Sequence, residues 1–426
     1  MASVSHAATA QHPRADPALI VIFAGVCAAL HVGKLPPAIT TLRDALGMSL
    51  VQAGFLLSLV QVAGMGCGVA FGALADSLGL RRSMALGLVV LAAASAAGGF
   101  AHGVVILMLL RACEGFGFLL VVLPAPGLVR RLVGPQRVSA MLGLWGAYMP
   151  LATALALLIG PLCIGTLGWR VWWWALAAIS LLMAGVLWRC VPAALPAVAG
   201  STGADAQATR GHIGAPWTQR LRRTLAVPGP WLVALSFASY SGQWLAVIGF
   251  LPAIYTQAGL SGAATGVLTA LAAAANIVGN VGAGRLLQRG AAPPRLLVTG
   301  FVTMALAATA TFAGPAAEGL PPWARFIAVL LFSGVGGLIP ATLFALAVRV
   351  APSENTLSTT IGWMQQWSAL GQFFGPPLVA WVASRSGGWQ FTWLATGACS
   401  AAGLLLAAAL ARAVSASGPA AAASRR

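Results

Sequence analysis

Four ionisable residues stand inside long apolar runs of this sequence, His31 and Lys34 in one run and Arg111 and Glu114 in another. Each pair is three residues apart, which on a helix places both members on one face. An ionised group in such surroundings is costly and is kept paired, or turned toward a polar interior. Lys34 is the only lysine among 24 basic residues. Arginine serves everywhere else, so the single ammonium points to a need for a compact cation, able to hold an anion. The competing reading is that Lys34 lies near a span end and snorkels to the interface. His31 either joins the same binding group or is a packing residue. Arg111 and Glu114 can form an ion pair. In the structural reading that pair only locks two helices together. In the functional reading Glu114 carries a proton, with burial and the neighbouring guanidinium acting on it in opposite senses. Pairing Arg111 with Glu114 leaves Lys34 uncompensated, and an uncompensated cation facing a cavity suits an anionic solute.

Uncharged polar and aromatic residues extend the candidate site. Tyr148 follows Trp145 by about one turn, and Tyr240, Gln243 and Trp244 stand at i, i+3 and i+4. Asn276 and Asn280 share a face, and Trp363, Gln366 and Trp367 are grouped ahead of Gln372. The substrate-binding set expected from these runs is Lys34, His31, Tyr148, Tyr240, Gln243, Trp244, Asn276, Trp363 and Gln366, with Arg111 and Glu114 for coupling. Polar side chains in apolar helices also serve as interhelical hydrogen-bond glue, and tryptophan is frequent at membrane interfaces.

The elements that must position these residues follow from composition. Of 426 residues 59% are hydrophobic and only 7% are charged, whereas a soluble domain carries roughly 25% charged residues. The apolar runs are each close to the ~20 residues that cross a bilayer as a helix. No period-two pattern suggests a barrel, so the backbone must be satisfied within helices. The expected fold is an all-α membrane protein of about twelve transmembrane helices in two pseudo-symmetric six-helix bundles. The expected divisions are an N-terminal tail 1–17, a first bundle 18–189, a linker 190–229, a second bundle 230–413 and a C-terminal tail 414–426. The linker, with its Ala/Gly/Ser content, is read as partly flexible. The run after Pro17 lacks a small-residue cleavage site and reads as the first span, not a removed leader.

A net charge of +17 would suggest nucleic acid in a soluble chain. Here eighteen arginines fall in loops and tails on the side of the termini, while Arg43, Arg170, Arg325 and Arg385 fall on the other. That is the positive-inside bias of an even number of spans with both termini cytoplasmic, and no nucleic-acid role is implied. The six cysteines show no pairing or metal spacing, and Pro124, Pro126, Pro150 and Pro340 are read as structural kinks. There is no nucleophile elbow, HExxH or phosphate loop, so neither an enzyme nor a cofactor is expected.

The halves echo one another. Gly72-Ala-Leu-Ala-Asp76-Ser-Leu-Gly79-Leu-Arg81-Arg82 is followed 212 residues later by Gly284-Arg-Leu-Leu-Gln288-Arg-Gly290. Gly160-Pro161 returns 215 residues later as Gly375-Pro376, and Gly168-Trp169-Arg170 matches Gly388-Trp389-Gln390. Repeated bundles that meet at a midplane site suit alternating access. The stretch Gly72–Arg82 resembles the signature loop of the major facilitator superfamily. Leu110-Arg111-Ala-Cys-Glu114-Gly115-Phe-Gly117 resembles that family's fourth-helix motif, and the Gly160-Pro161 helix its fifth-helix motif. Lys34-Leu-Pro-Pro-Ala, Gly143-Leu-Trp145-Gly and Phe250-Leu-Pro252-Ala-Ile-Tyr255 are most similar to the cyanate-permease-like branch.

The resemblance implies a secondary transporter of the inner membrane, monomeric, with Arg111 in coupling. Gly72, Asp76, Gly79, Arg81 and Arg82 would form a gating loop, against the plainer reading of a solvated charged turn. Together with the charge tally it favours a proton-coupled carrier of a small organic or inorganic anion. The alternative is a proton-coupled efflux pump for hydrophobic or cationic compounds. Cys163-Ile164, standing where antiporters of the family usually have paired glycines, weighs against that alternative.

Overall fold

The computed structural model describes residues 16–66, 78–192, 217–314, 319–353 and 356–416. Among them there is helix and no strand. In chain order the spans are α1 (Pro17–Leu46), α2 (Leu50–Gly66), α3 (Leu80–Gly99), α4 (Val104–Leu132), α5 (Gln136–Leu167) and α6 (Trp169–Cys190). The second half holds α7 (Pro228–Gln257), α8 (Gly262–Gln288), α9 (Pro293–Phe312), α10 (Pro322–Val350), α11 (Leu357–Ser386) and α12 (Thr392–Ala413). Ten of these are long and apolar enough to cross a membrane by themselves. α2 is a shorter apolar helix, and residues 67–77 after it lie outside the described residues. α11 runs for 30 residues, but its glutamines, serines and threonines dilute its hydropathy. The expected linker contains a further helix, Trp217–Leu225, with Arg222 and Arg223 in its last turn.

Local sequence explains the ends and breaks that matter for the site. Asp16 caps α1 by accepting from the Ala18 amide at 3.0 Å. Helical structure stops at Gly33 and continues through a 3₁₀ turn at Pro36–Ala38 into Ile39–Leu46. The cause is Pro36-Pro37: neither residue has an N–H, so the carbonyls of Val32 and Gly33 lose their helical donors. α4 breaks beside Pro124, between Val122 and Ala125, and α10 breaks at Gly337.

Small residues set the closest approaches. A Cβ placed on Gly242 of α7 would lie 2.6 Å from the Gly371 carbonyl of α11, so these two helices pack backbone to backbone, as small residues permit in membranes. The halves meet where α1 ends, on the face opposite the termini. There a Cβ on Gly54 of α2 would stand 2.9 Å from Pro377 Cα of α11, and one on Gly266 of α8 would stand 3.1 Å from the Leu157 carbonyl and 3.2 Å from Pro161 Cγ of α5. Gly54 and Gly266 are 212 residues apart and each lies five residues after a serine N-cap, Ser49 and Ser261. The repeat seen in the loops therefore continues into the contacts between the halves. An apolar cluster seals this face and draws on both halves, with Leu35, Leu56 and Trp173 from the first and Phe250, Val379 and Ala380 from the second. Nearer mid-span, Gln61 donates to Gln372 at 2.9 Å and Gln366 donates to the Met65 carbonyl at 2.8 Å.

Candidate functional site

The end of the first helical segment of α1 and the unbroken stretch Val104–Val122 of α4 bring all four ionisable residues to one point. Glu114 lies between two cations: Oε1 accepts from Lys34 Nζ, and Oε2 accepts from Arg111 Nη1 at 2.7 Å. Lys34 is wholly buried, while Arg111 and Glu114 are 3% and 2% exposed. His31, also wholly buried, places Nδ1 3.6 Å from Glu114 Oε1, beyond hydrogen-bond reach. Its Nε2 is 2.7 Å from Ser180 Oγ on α6.

The backbone around Lys34 is held by groups that answer the prolines. Arg111 donates to the His31 carbonyl and, at 3.4 Å, to the Val32 carbonyl. The second of these replaces the donor that Pro36 cannot supply. Arg111 Nε also reaches the Leu56 carbonyl of α2 at 3.3 Å, so one guanidinium ties α1, α2 and α4 together. Trp172 Nε1 donates to the Lys34 carbonyl at 3.1 Å. Gly160 leaves room for the Pro37 ring, since a Cβ there would be 2.6 Å from Pro37 Cγ. The Lys34 ammonium in turn donates to Ser95 Oγ at 2.9 Å, and Ser95 donates to the Trp173 carbonyl at 2.9 Å. The same ammonium stands 4.6 Å from the centroid of the Trp173 ring, within the range of a cation–π contact.

This geometry removes the competing reading of Lys34 and corrects one expectation. Its ammonium does not snorkel, because the chain breaks right after it and turns the side chain inward. Nor is it uncompensated: a carboxylate has two oxygens, and Glu114 uses one for each cation. The surplus charge survives in another form. With His31 neutral, two cations share one carboxylate, and the cluster carries one net positive charge. Of the other described acids, Asp16 precedes α1 as its N-cap and Asp44 lies in the last turn of α1, beyond the break.

The uncharged candidates are distributed otherwise. Asn276 Nδ2 donates to the Tyr240 hydroxyl at 2.8 Å and to the Ser333 carbonyl at 2.9 Å. Trp244 Nε1 donates to Ser333 Oγ at 3.1 Å. Gln243 donates to the Ser239 carbonyl and accepts from Ser400 Oγ, both at 3.0 Å. These four residues are buried, and these hydrogen-bond partners all lie in the second half and not in the charge cluster. Gln366 holds α11 to α2 as described. Trp363 packs edge to face with Trp231 and Trp367. Tyr148 stacks on Trp145 at 4.3 Å between ring centroids, and of the uncharged set only this pair lies in the first half with the ions. Ser95, Ser180, Trp172 and Trp173 are the site residues that the sequence reading missed. A lone serine in an otherwise aliphatic run was the available signal for the first two.

Of the expected gating loop, Gly72 and Asp76 lie outside the described residues. Gly79 precedes α3 with φ 85°, a left-handed conformation that favours glycine. Arg81 donates to the Trp188 carbonyl at 2.6 Å and lies over the Trp188 ring, so it is engaged with α6 of its own half.

The family model described as Major Facilitator Superfamily matches residues 21–356 and 232–426. A cyanate transport protein of Escherichia coli K12 is 25% identical over 256 residues, which is 59% of this chain and 62% of that protein. The match thus spans less than two thirds of that relative. Among solved structures, a bacterial homologue of the human lysosomal transporter Spinster, inward-facing and unoccupied, superposes with a TM-score of 0.71 at 15% identity, covering 94% of this chain and 95% of the other. A D-xylose–proton symporter superposes with a TM-score of 0.69 at 16% identity over 92% and 96% of the two chains.

Proposed function

The chain belongs to the major facilitator superfamily, a multi-pass membrane transporter and not an enzyme, and from that premise we propose that it moves a small anion together with a proton. The observation that carries this reading is the single carboxylate held between two cations. While Glu114 is ionised it occupies Lys34, and the anion has no free partner. A proton on Glu114 removes that competitor and leaves Lys34 and Arg111 with two positive charges in a poorly screened interior. Proton and anion then favour each other's binding, which is the reciprocal coupling that symport needs. Cyanate, the cargo named for the relative from Escherichia coli, is a small anion, and one surplus positive charge suits that class.

In this reading the bundles 18–189 and 230–413 rock about the cluster as a monomer, joined by the linker 190–229. The arginine-rich face carrying both termini lies in the cytoplasm of an inner membrane. The gating loop, including Gly72 and Asp76, acts at that face.

The test is anion uptake into proteoliposomes under an imposed pH gradient, with cyanate, nitrate and acetate as probes. Lys34→Gln is expected to abolish both accumulation and anion exchange. Glu114→Gln is expected to keep exchange and lose gradient-driven accumulation. Unchanged anion affinity in Lys34→Gln would refute the assignment. Transport of lipophilic cations that needs Glu114 and ignores Lys34 would replace it with the efflux alternative.

A further inference from the structure

A second feature lies away from the charge cluster, on the outer side of the first bundle. α3 and α6 leave a groove of about 590 Å³ between them. Arg82, near the start of α3, and Arg189, near the end of α6, both line it and both are exposed. Its walls deeper along the helices are apolar: Leu86 and Val89 from α3, Leu181 and Gly185 from α6. Leu86, Val89 and Leu181 are 46%, 43% and 58% exposed, values that belong to a surface facing hydrocarbon. From Arg82 to Val89 the rise is roughly 10 Å of helix, so an apolar channel runs inward beneath a pair of guanidinium groups.

One wall is fixed. Trp188 is held by Arg81, through the bond to its carbonyl and the contact with its ring. Arg82 and Arg189 have no hydrogen bond or ion pair among the described residues. The described acids are engaged or distant: Asp16 pairs with Arg137 at 2.7 Å, Glu114 is buried with its cations, and Asp44 lies at the opposite face. Two exposed arginines with no partner among the described residues, above an apolar channel, complement a ligand with an anionic head and a hydrocarbon tail. An inorganic anion would use the mouth and leave the channel unexplained.

We infer that this groove binds an anionic phospholipid, its phosphate between Arg82 and Arg189 and one acyl chain along α3 and α6. Two kinds of variant separate head from tail. Arg82→Gln with Arg189→Gln removes the charge at exposed positions. Gly185→Leu fills the channel and keeps both arginines, and a Cβ at Gly185 meets nothing within 4 Å, so a side chain can start there without a clash.

The experiment measures binding of dioleoyl phosphatidylglycerol to delipidated full-length protein by native mass spectrometry. Dioleoyl phosphatidylcholine and glycerol 3-phosphate serve as comparison ligands. Near-surface basic residues predict that the double arginine variant binds phosphatidylglycerol roughly thirtyfold more weakly. Gly185→Leu should also weaken it, and phosphatidylcholine should bind wild type less tightly than phosphatidylglycerol. The inference is overturned if either variant binds phosphatidylglycerol as wild type does. It is equally overturned if phosphatidylcholine matches phosphatidylglycerol, or if glycerol 3-phosphate alone binds as tightly, which would make the groove a free-anion site.

Discussion

The sharing of Glu114 by two cations fixes the sign of an energetic coupling. In Lys34→Met the carboxylate keeps Arg111, and the loss is that of the two charge-assisted hydrogen bonds to Glu114 and Ser95, about 1.5–3 kcal/mol each. In Glu114→Gln two buried cations are left facing each other without a counter-charge, and breaking a buried pair in this way costs about 3–5 kcal/mol. The double variant removes one of those stranded cations. Arg111 keeps the carbonyls of His31, Val32 and Leu56 as partners, so the second substitution relieves the first. Lys34→Met/Glu114→Gln should therefore be more stable than Glu114→Gln by roughly 1–3 kcal/mol, whereas independent sites would place it at the sum of the two losses. The assay is unfolding by SDS titration in mixed micelles, followed by tryptophan fluorescence, with Trp172 and Trp173 beside the cluster as reporters. A double variant less stable than Glu114→Gln by the full cost of Lys34→Met would refute the shared carboxylate.

Other outcomes follow from the same contacts. Leucine at Gly54 or Gly266 overpacks the joined face, which costs about 1–3 kcal/mol; thiol labelling of Ala253→Cys, 2% exposed, should accelerate in either background, and unchanged labelling would contradict the seam. Ser95→Ala strips Lys34 of an acceptor and the Trp173 carbonyl of a donor, so about 1–3 kcal/mol of stability should be lost in the same SDS titration. The hydrogen bond from Arg137 holds the Asp16 carboxyl below its ordinary value of 3.8. The stabilisation is thus complete above that value and lost as pH falls through the lowered one. Asp16→Asn keeps a capping oxygen and removes the ion pair, so its deficit, about 0.5 kcal/mol for an exposed pair, should appear at neutral pH and close on acidification.

The legibility of this protein in its sequence divides along physical lines. Span number and helical class follow from the length and frequency of apolar runs. α11 was readable despite its glutamines, because Gly375-Pro376 repeats Gly160-Pro161. The four ionisable residues of the site stood out because charge is conspicuous against an aliphatic background. The Arg111–Glu114 pair was legible from its spacing, but the Lys34–Glu114 contact was not, since those two residues are 80 apart and meet only through the packing of α1 against α4. Assigning Glu114 to Arg111 by local spacing overlooked its second oxygen. Ser95 and Ser180 passed as small residues. Tyr240, Gln243, Trp244 and Asn276 were legible as polar residues within spans, but their partners Ser333 and Ser400 were not, because spacing along one helix does not say which neighbour faces it.

One consequence of the buried lysine reaches beyond transport. Apart from the chain's terminal amine, Lys34 is the only primary amine in the protein, and folding removes it from water completely. An acylating ester added to the intact protein therefore meets no side-chain amine. Any acylation at Lys34 records a moment when the cluster was uncovered, by turnover or by unfolding. The chain thus contains its own single-site chemical clock, read by the mass of one peptide and with no label to install.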